Sequence, residues 1–241
     1  MKNYLLLLFI ILLVVSCKTV SFGGDSFTDL SSQPFPGMIG AYSENLTSSN
    51  FKEAGVPHLE EKIRLTVKKG NFTRSSLRKF NKKVLSKDQK LEIIDSLDLR
   101  PQYHKFEISD KIGLIDALNS PANTSLRNYL GTNDKNVILT STNIYFPDEI
   151  AQAIDNFSEI YLVNNRKSSY SLELLKKDKS REIIEFSDGV SFEYGFSAFC
   201  WAENNRRQPL IAAFRERNSS CPGNTVKDPK KLKKDDVFDK M

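Results

Sequence analysis

Val190-Ser191-Phe192-Glu193-Tyr194-Gly195-Phe196-Ser197-Ala198-Phe199-Cys200-Trp201-Ala202 is the stretch that decides the fold class. Its side chains alternate, so that Val190, Phe192, Tyr194, Phe196, Ala198 and Cys200 share one face of a strand, and that face is expected to meet the core. On either side lie further strand patterns, Tyr170 to Leu175, Ile183 to Phe186 and Leu210 to Arg215, joined by short polar turns. One of those turns is Asp188-Gly189, a favoured two-residue hairpin pair. The final third of the chain therefore reads as an antiparallel β-meander.

Working back from it, strand-like and helix-like patterns alternate. Ile63, Leu65 and Val67 fall on one side of a strand with charges on the other, and Leu77, Phe80 and Val84 follow at helical spacing. Ser86 with Gln89 offers a capping box for a second helix carrying Leu91, Ile94 and Leu97, which Arg100-Pro101 ends. A short strand from Tyr103 to Ile108 leads to helices at Ile112 to Leu118 and Ser125 to Leu130. Val137 to Phe146 is the clearest buried strand of this half. Pro147-Asp148-Glu149 then opens a helix through Ile154, since proline and acidic residues both suit a first helical turn. With Ile160 to Val163 as a further strand, the expected class is α+β, a mixed sheet with alternating strands and helices that ends in the meander.

The two ends of the chain differ in composition. From Thr19 to about Pro57 serine, glycine and proline are frequent and no periodicity is sustained, as expected of a flexible tether of roughly 35 Å end-to-end distance. Phe22, Phe27, Phe35, Tyr42 and Phe51 argue against full solvation, and Gly37 to Tyr42 is the part expected to pack on the domain. Lys227 to Met241 is a charged tail. The expected organisation is a signal over 1–16, an anchor and tether over 17–57, one α+β domain over 58–226 and the tail over 227–241.

The first residues combine Lys2 with an uninterrupted apolar run, Leu5 to Val15, whose 11 residues match a secretory signal and fall short of the ~20 that a spanning helix needs. Val14-Val15-Ser16-Cys17 resembles the lipobox of bacterial lipoprotein precursors, a resemblance confined to residues 1 to 17. It implies cleavage before Cys17, a diacylglycerol on its thiol and acylation of the new amine. Two or three chains, at roughly 0.8 kcal/mol per buried methylene, hold such a protein on a bilayer almost irreversibly. By the sorting rule of that class, Lys18 in place of an Asp implies the outer membrane, with the periplasmic face favoured over the cell surface.

With Cys17 assigned to lipid, Cys200 and Cys221 remain, an even pair in an oxidising compartment, and a disulfide between them is expected. Closing a loop of that length contributes roughly 3 kcal/mol in the chain-entropy picture. To meet Cys200, Cys221 has to fold back over the rim of the sheet.

Charge is unevenly spread. Between Lys62 and Lys90 there are 11 lysines and arginines against one acid, Asp88, in a chain whose formal net charge is only +5. On the first helix Arg74, Arg78 and Lys82 stack at i, i+4 spacing, with Lys79 and Lys83 beside them. Such a stripe attracts phosphate-bearing headgroups, acidic glycans or an acidic protein face. The alternative is a solvated helix face paired to acids elsewhere in the fold. Nucleic acid is not expected, because no aromatic interleaving or binding motif accompanies the charge.

Catalytic templates find little support. Gly195-Phe196-Ser197-Ala198-Phe199 lacks the second glycine of a nucleophile elbow and lies in a strand. The chain has two histidines, His58 and His104, so neither a Cys200 thiolate–imidazole pair nor a metal site is indicated. Asp148 with Glu149, and Glu182 with Glu185, are the carboxylate pairs that glycoside chemistry would use. Asp95-Ser96-Leu97 has the short form glycosylated in some exported bacterial proteins, but three residues are a weak signal and a helix N-cap or surface serine is the favoured reading. The sequence thus points to a lipid-anchored envelope protein without cofactor or metal that works by binding. An envelope hydrolase using a carboxylate pair is the second reading, and a module with an apolar cavity lined by Phe192, Tyr194 and Phe196 is the third.

Overall fold

A computed structural model of the chain describes residues 19–22, 25–28, 33–44, 49–84, 90–92, 100–165 and 169–232, with backbone only for 19–22, 25–28, 44 and 49. Cys17, Lys87, the second helix expected around Ser86 to Leu97, and residues 233–241 lie outside the described residues, apart from 90–92.

Strand β7 (Asn136–Tyr145) organises the sheet. Eight of its ten residues are buried, so both faces are covered, as expected of the clearest buried strand of this half, although Thr140, Thr142 and Asn143 are polar. Along one edge it pairs antiparallel with β11 (Val190–Glu203), from Tyr145 opposite Val190 to Val137 opposite Ala198. The other edge is divided. Ser141 to Ile144 pair with β6 (Gln102–Ile108), whereas Asn136 to Ile138 pair with β3 (Ile39–Glu44).

From β6 the sheet continues through β5 (Ile63–Asn71), β8 (Glu159–Asn164), β9 (Tyr170–Leu175) and β10 (Arg181–Glu185). On the far side β12 (Pro209–Glu216) borders β11, which completes a curled run of eight antiparallel strands. A second arm leaves β7 through β3 to β4 (Ser49–Gly55), β2 (Asp25–Thr28) and β1 (Thr19–Phe22). Here β2 and β4 form the one parallel pair among the described strands. The coarse expectation, a mixed sheet with helices, is met.

Helices α1 (Arg74–Lys83), α2 (Lys111–Asn119), α3 (Thr124–Leu130) and α4 (Asp148–Asp155) fall where spacing placed them. The main core gathers Phe106, Ile108, Leu139, Ile144, Leu162, Leu172 and Leu174 of the sheet with Leu114 and Leu118 of α2. A smaller cluster, Phe72, Leu77, Phe80, Val84 and Phe192, seats α1. Asn119 blunts the outer edge of β12, receiving the amide of Ile211 at 3.0 Å and donating to its carbonyl at 2.8 Å. A paired edge cannot recruit a foreign strand.

Three expectations need correction. The meander is interrupted, because β9–β10 and β11–β12 are hairpins but β10 does not pair with β11. Between them Phe186–Asp188 forms a 3-10 turn, with Asp188 accepting the Glu185 amide at 3.0 Å. Gly189 is extended there (φ −125°), so it makes no hairpin turn. It is glycine for space: a Cβ would stand 2.6 Å from Ile144 Cγ2 and 2.7 Å from Phe146.

The single core face assigned to β11 is the second correction. Register shifts between Ser191 and Glu193, between Gly195 and Phe196 and between Cys200 and Trp201 change the alternation along the strand. Phe192 therefore packs in the small cluster under α1, while Ala198, Phe199 and Trp201 all enter the main core. The rings of Phe72, Phe80 and Tyr103 lie 5.1, 5.9 and 5.2 Å from that of Phe192 and fill the space that a ligand cavity would have used.

The third correction concerns the tether. Phe35, Met38, Ile39 and Phe51 are buried in the main core, and β3 and β4 are sheet strands, so residues 33–44 and 49–57 belong to the domain. Their aromatic and branched side chains outweigh the local abundance of serine and glycine. At the other end, Val226 bridges Trp201 and Leu232 packs against the core, so the domain runs past 226. Cys200 and Cys221 bring their sulfurs to 2.01 Å, consistent with the expected disulfide.

A tether residue can lose its ring without consequence; a core residue cannot. Phe51→Ala is expected to lower unfolding free energy by about 3–5 kcal/mol, measured by urea denaturation, and an unchanged midpoint would return residues 49–57 to the linker.

Candidate functional site

Helix α1 starts at Thr73, which sits outside the helix in extended conformation and accepts the Ser76 amide at 3.1 Å. Ser76 returns the bond by accepting the Thr73 amide at 2.8 Å, so two otherwise unpaired donors are met. Lys82 and Lys83 occupy the last turn, where the helix dipole favours positive charge. Leu77 and Phe80 point inward, with the Phe80 ring edge-on to Phe72 and Tyr145 at 5.4 and 5.2 Å.

The structure divides the five basic residues of this helix. Lys79 forms an ion pair with Glu193, whose second oxygen accepts from the Asn143 amide at 2.7 Å. Lys83 donates to the Tyr194 hydroxyl at 2.7 Å and lies 4.5 Å above that ring. Both therefore clamp α1 to β11. Arg74, Arg78 and Lys82 are exposed on the opposite flank, and no acid among the described residues pairs with them. Elsewhere in the basic segment Lys62 pairs with Glu173 at 2.7 Å, Arg64 with Glu159 at 3.3 Å and Lys69 with Asp155 at 2.5 Å. Pairing thus absorbs part of the charge excess and leaves a row of three on α1.

A second polar feature lies where β8 parts from β5. The two strands pair only over Ile63 to Leu65, and beyond that point a cleft of about 730 Å³ opens against the end of α4. Arg64, Thr66, Ser109, Asp110 and Glu159 line it, with Leu65, Ile154, Phe157 and Ile160 as its apolar part. At one end, Asp155 joins His104 and Lys69. Its Oδ1 lies 2.9 Å from His104 Nε2 and its Oδ2 accepts from Lys69. The imidazole is buried and its Nδ1 has no hydrogen-bond partner among the described residues. Burial raises the Asp155 pKa, but the hydrogen bonds and positive charge of Lys69 and His104 outweigh it and hold the carboxyl below its ordinary value. A carboxylate at a helix C-terminus is otherwise disfavoured by the dipole, so these partners also stabilise the end of α4.

Sequence spacing could not have joined Lys69, His104 and Asp155. The one available signal was a histidine alternating with Phe106 and Ile108 on the buried face of β6. The expected carboxylate pairs do not converge. Glu182 and Glu185 are three apart on β10 and so face opposite sides, and Glu185 is engaged by Ser171 at 2.9 Å. Asp148 borders a smaller cleft next to Asp155, and Glu149 is exposed beside it. Ser197, within strand β11, shares a hydrogen bond with Thr140 of β7 at 3.1 Å, far from the geometry of a nucleophile elbow. His58 is exposed, its backbone held by the buried amide of Asn123. Asp95-Ser96-Leu97 lies outside the described residues.

Among the described residues no group of three or more histidines, cysteines or carboxylates could hold a metal ion, and no helix is long and apolar enough to cross a membrane. No protein-family model matches this chain, nor does any curated protein or solved structure.

Because its pKa is depressed on folding, Asp155 contributes stability above the unfolded value near 3.9, and that contribution fades as pH falls through the folded value. Asp155→Asn is expected to be less stable than the wild type at pH 7, with the gap narrowing below about pH 4. Thermal unfolding followed from pH 7 to pH 3 checks this; a gap that does not narrow on acidification would show that the carboxylate's charge plays no part.

Proposed function

We propose that this protein is a lipid-anchored, non-enzymatic binding component of a bacterial cell envelope. In this reading Cys17 carries the lipid, the outer membrane is the site, with its periplasmic face favoured, and the folded domain meets an anionic partner through Arg74, Arg78 and Lys82. The carrying observation is the division of α1. Its inner flank is fixed by the Lys79–Glu193 pair and the Lys83–Tyr194 contact, while three cations at successive i, i+4 positions stand exposed without an acid among the described residues. A charge row that only solvated the helix would have no need of so rigid a seat, and a seat held by packing and capping keeps the row's geometry ready for a partner.

The Cys200–Cys221 contact supports an oxidising compartment, in which small exported domains use such bonds. It also supports the choice of Cys17 as the remaining, modified cysteine.

A second reading, an envelope hydrolase acting on glycan or peptide, has the cleft beside Asp155 and Glu159 in its favour. Both carboxylates are already engaged there, Asp155 by Lys69 and His104, and Glu159 by Arg64 and by the Tyr161 hydroxyl at 2.7 Å. A general acid and base need freedom to exchange protons with substrate. The binding reading therefore stands first.

Replacing Cys17 by Ala is expected to move the protein from the membrane to the soluble fraction. In the lipidated protein, reversing the outer row (Arg74→Glu, Arg78→Glu and Lys82→Glu together) is expected to abolish crosslinking to anionic envelope components while shifting stability by less than about 0.5 kcal/mol per site. Lys79→Glu should do the opposite, lowering the unfolding midpoint by setting two carboxylates against each other at Glu193. An outer-row variant that keeps every crosslink would remove the binding role of the row.

A further inference from the structure

The position of β1 says which anionic partner the row meets. Residues of β1 and α1 approach within 8 Å between Cα atoms, so the first strand runs beside the basic helix. Thr19 opens that strand, two residues after Cys17. Two residues reach at most ~7 Å and the four of β1 span only ~13 Å. An anchor on Cys17 would thus be held within ~30 Å of α1, on the side of the domain where β1 runs.

The surface around this point has a second character. Lys83 lies over Tyr194, the Tyr194 and Phe196 rings are 6.5 Å apart, Phe196 and Tyr42 are 4.9 Å apart, and the Arg217 guanidinium lies 3.8 Å above Tyr42. Tyr42, Tyr194 and Phe196 are half-buried, so a strip of partly exposed rings with a cation at each end begins at the Lys83 flank of α1, across the helix from Arg74, Arg78 and Lys82. Half-exposed tyrosines and long cationic side chains are the residue types that sit well at headgroup depth, where an apolar body and a polar tip are both accommodated. A soluble acidic partner would account for the row and not for the nearness of the anchor.

We propose that the face bearing Arg74, Arg78 and Lys82 lies against the bilayer that carries the anchor, with phosphate-bearing lipid headgroups as its anionic partner. This rests on the lipid-anchored reading above and adds an orientation to it. The anchor holds the protein at the surface, and the row turns α1 toward the headgroups.

The test uses the intact lipidated chain in vesicles with nitroxide-labelled headgroups and no other protein. A fluorophore is placed on α1 through Ser75→Cys, at an exposed position beside the row, and in a second sample at Lys177→Cys, in the β9–β10 turn at the other end of the strand order. In vesicles containing phosphatidylglycerol, quenching at position 75 is expected to exceed that at position 177 several-fold. The difference should vanish with the triple charge reversal and in pure phosphatidylcholine, with the protein remaining vesicle-bound throughout. Equal quenching at the two positions on bound protein overturns this inference and leaves the anchor intact, as does quenching at position 75 that ignores charge reversal. A chain that does not partition into vesicles at all overturns the anchor and the inference together.

Discussion

The backbone of β7 is the constraint on which the fold depends. A strand buried on both faces has no water to satisfy its amides and carbonyls, so each must find a protein partner. In this chain three strands share the task, β11 along one edge and β6 and β3 on the other. The division of that second edge creates the fork from which both arms of the sheet grow. Where neither strand pairs, the Gly37 amide donates to the Leu139 carbonyl at 2.7 Å and the Leu139 amide to Met38 at 2.8 Å. The N-terminal segment is therefore tied to the centre of the protein.

That constraint also fixes helix α1. β11 pairs with β7 on one edge and supplies Phe192, Glu193 and Tyr194 beneath and beside α1. Bulges allow one strand to serve two clusters, feeding Phe192 to the small one and Ala198, Phe199 and Trp201 to the main core. Without the register shift at Ser191–Glu193 the alternation of the strand would differ on this stretch, and the carboxylate that holds Lys79 would not stand beside Asn143. The basic row is exposed because its neighbours on the helix are occupied.

Elements were legible in the sequence where periodicity was strong, and topology was not. The apolar positions of α1, β5, β6 and β7 announced their elements because burial on one or two faces leaves a clear period. The partnership of β11 with β7 left no local trace, since pairing across some fifty residues is decided by the whole core. Asp188-Gly189 misled because glycine answers two needs, positive φ and lack of a side chain, and only packing against Ile144 and Phe146 reveals which applies. The serine and glycine content of residues 33–57 suggested a linker, yet a few deeply buried side chains, Phe35, Met38, Ile39 and Phe51, suffice to hold it in the core. The basic stripe was visible as composition. Its partition into clamping and outward residues required knowing that Glu193 and Tyr194 lie under one flank.

Magnitudes decide how the row and the anchor divide their work. A basic residue near an anionic bilayer contributes about 1 kcal/mol, so three contribute about 3 kcal/mol. That is about two powers of ten in an equilibrium constant, too weak to recruit a soluble protein from dilute solution. For a chain already on the surface the same energy competes only with rotation of the domain about its anchor, and a hundredfold bias is then a nearly fixed orientation. Screening over the ~8 Å Debye length at physiological salt confines the effect to headgroups close to α1. Lipid would supply residence and charge would supply direction. Neither would replace the other, and on the proposed anchoring the short chain between Cys17 and β1 would let so small an electrostatic term control the orientation of the domain.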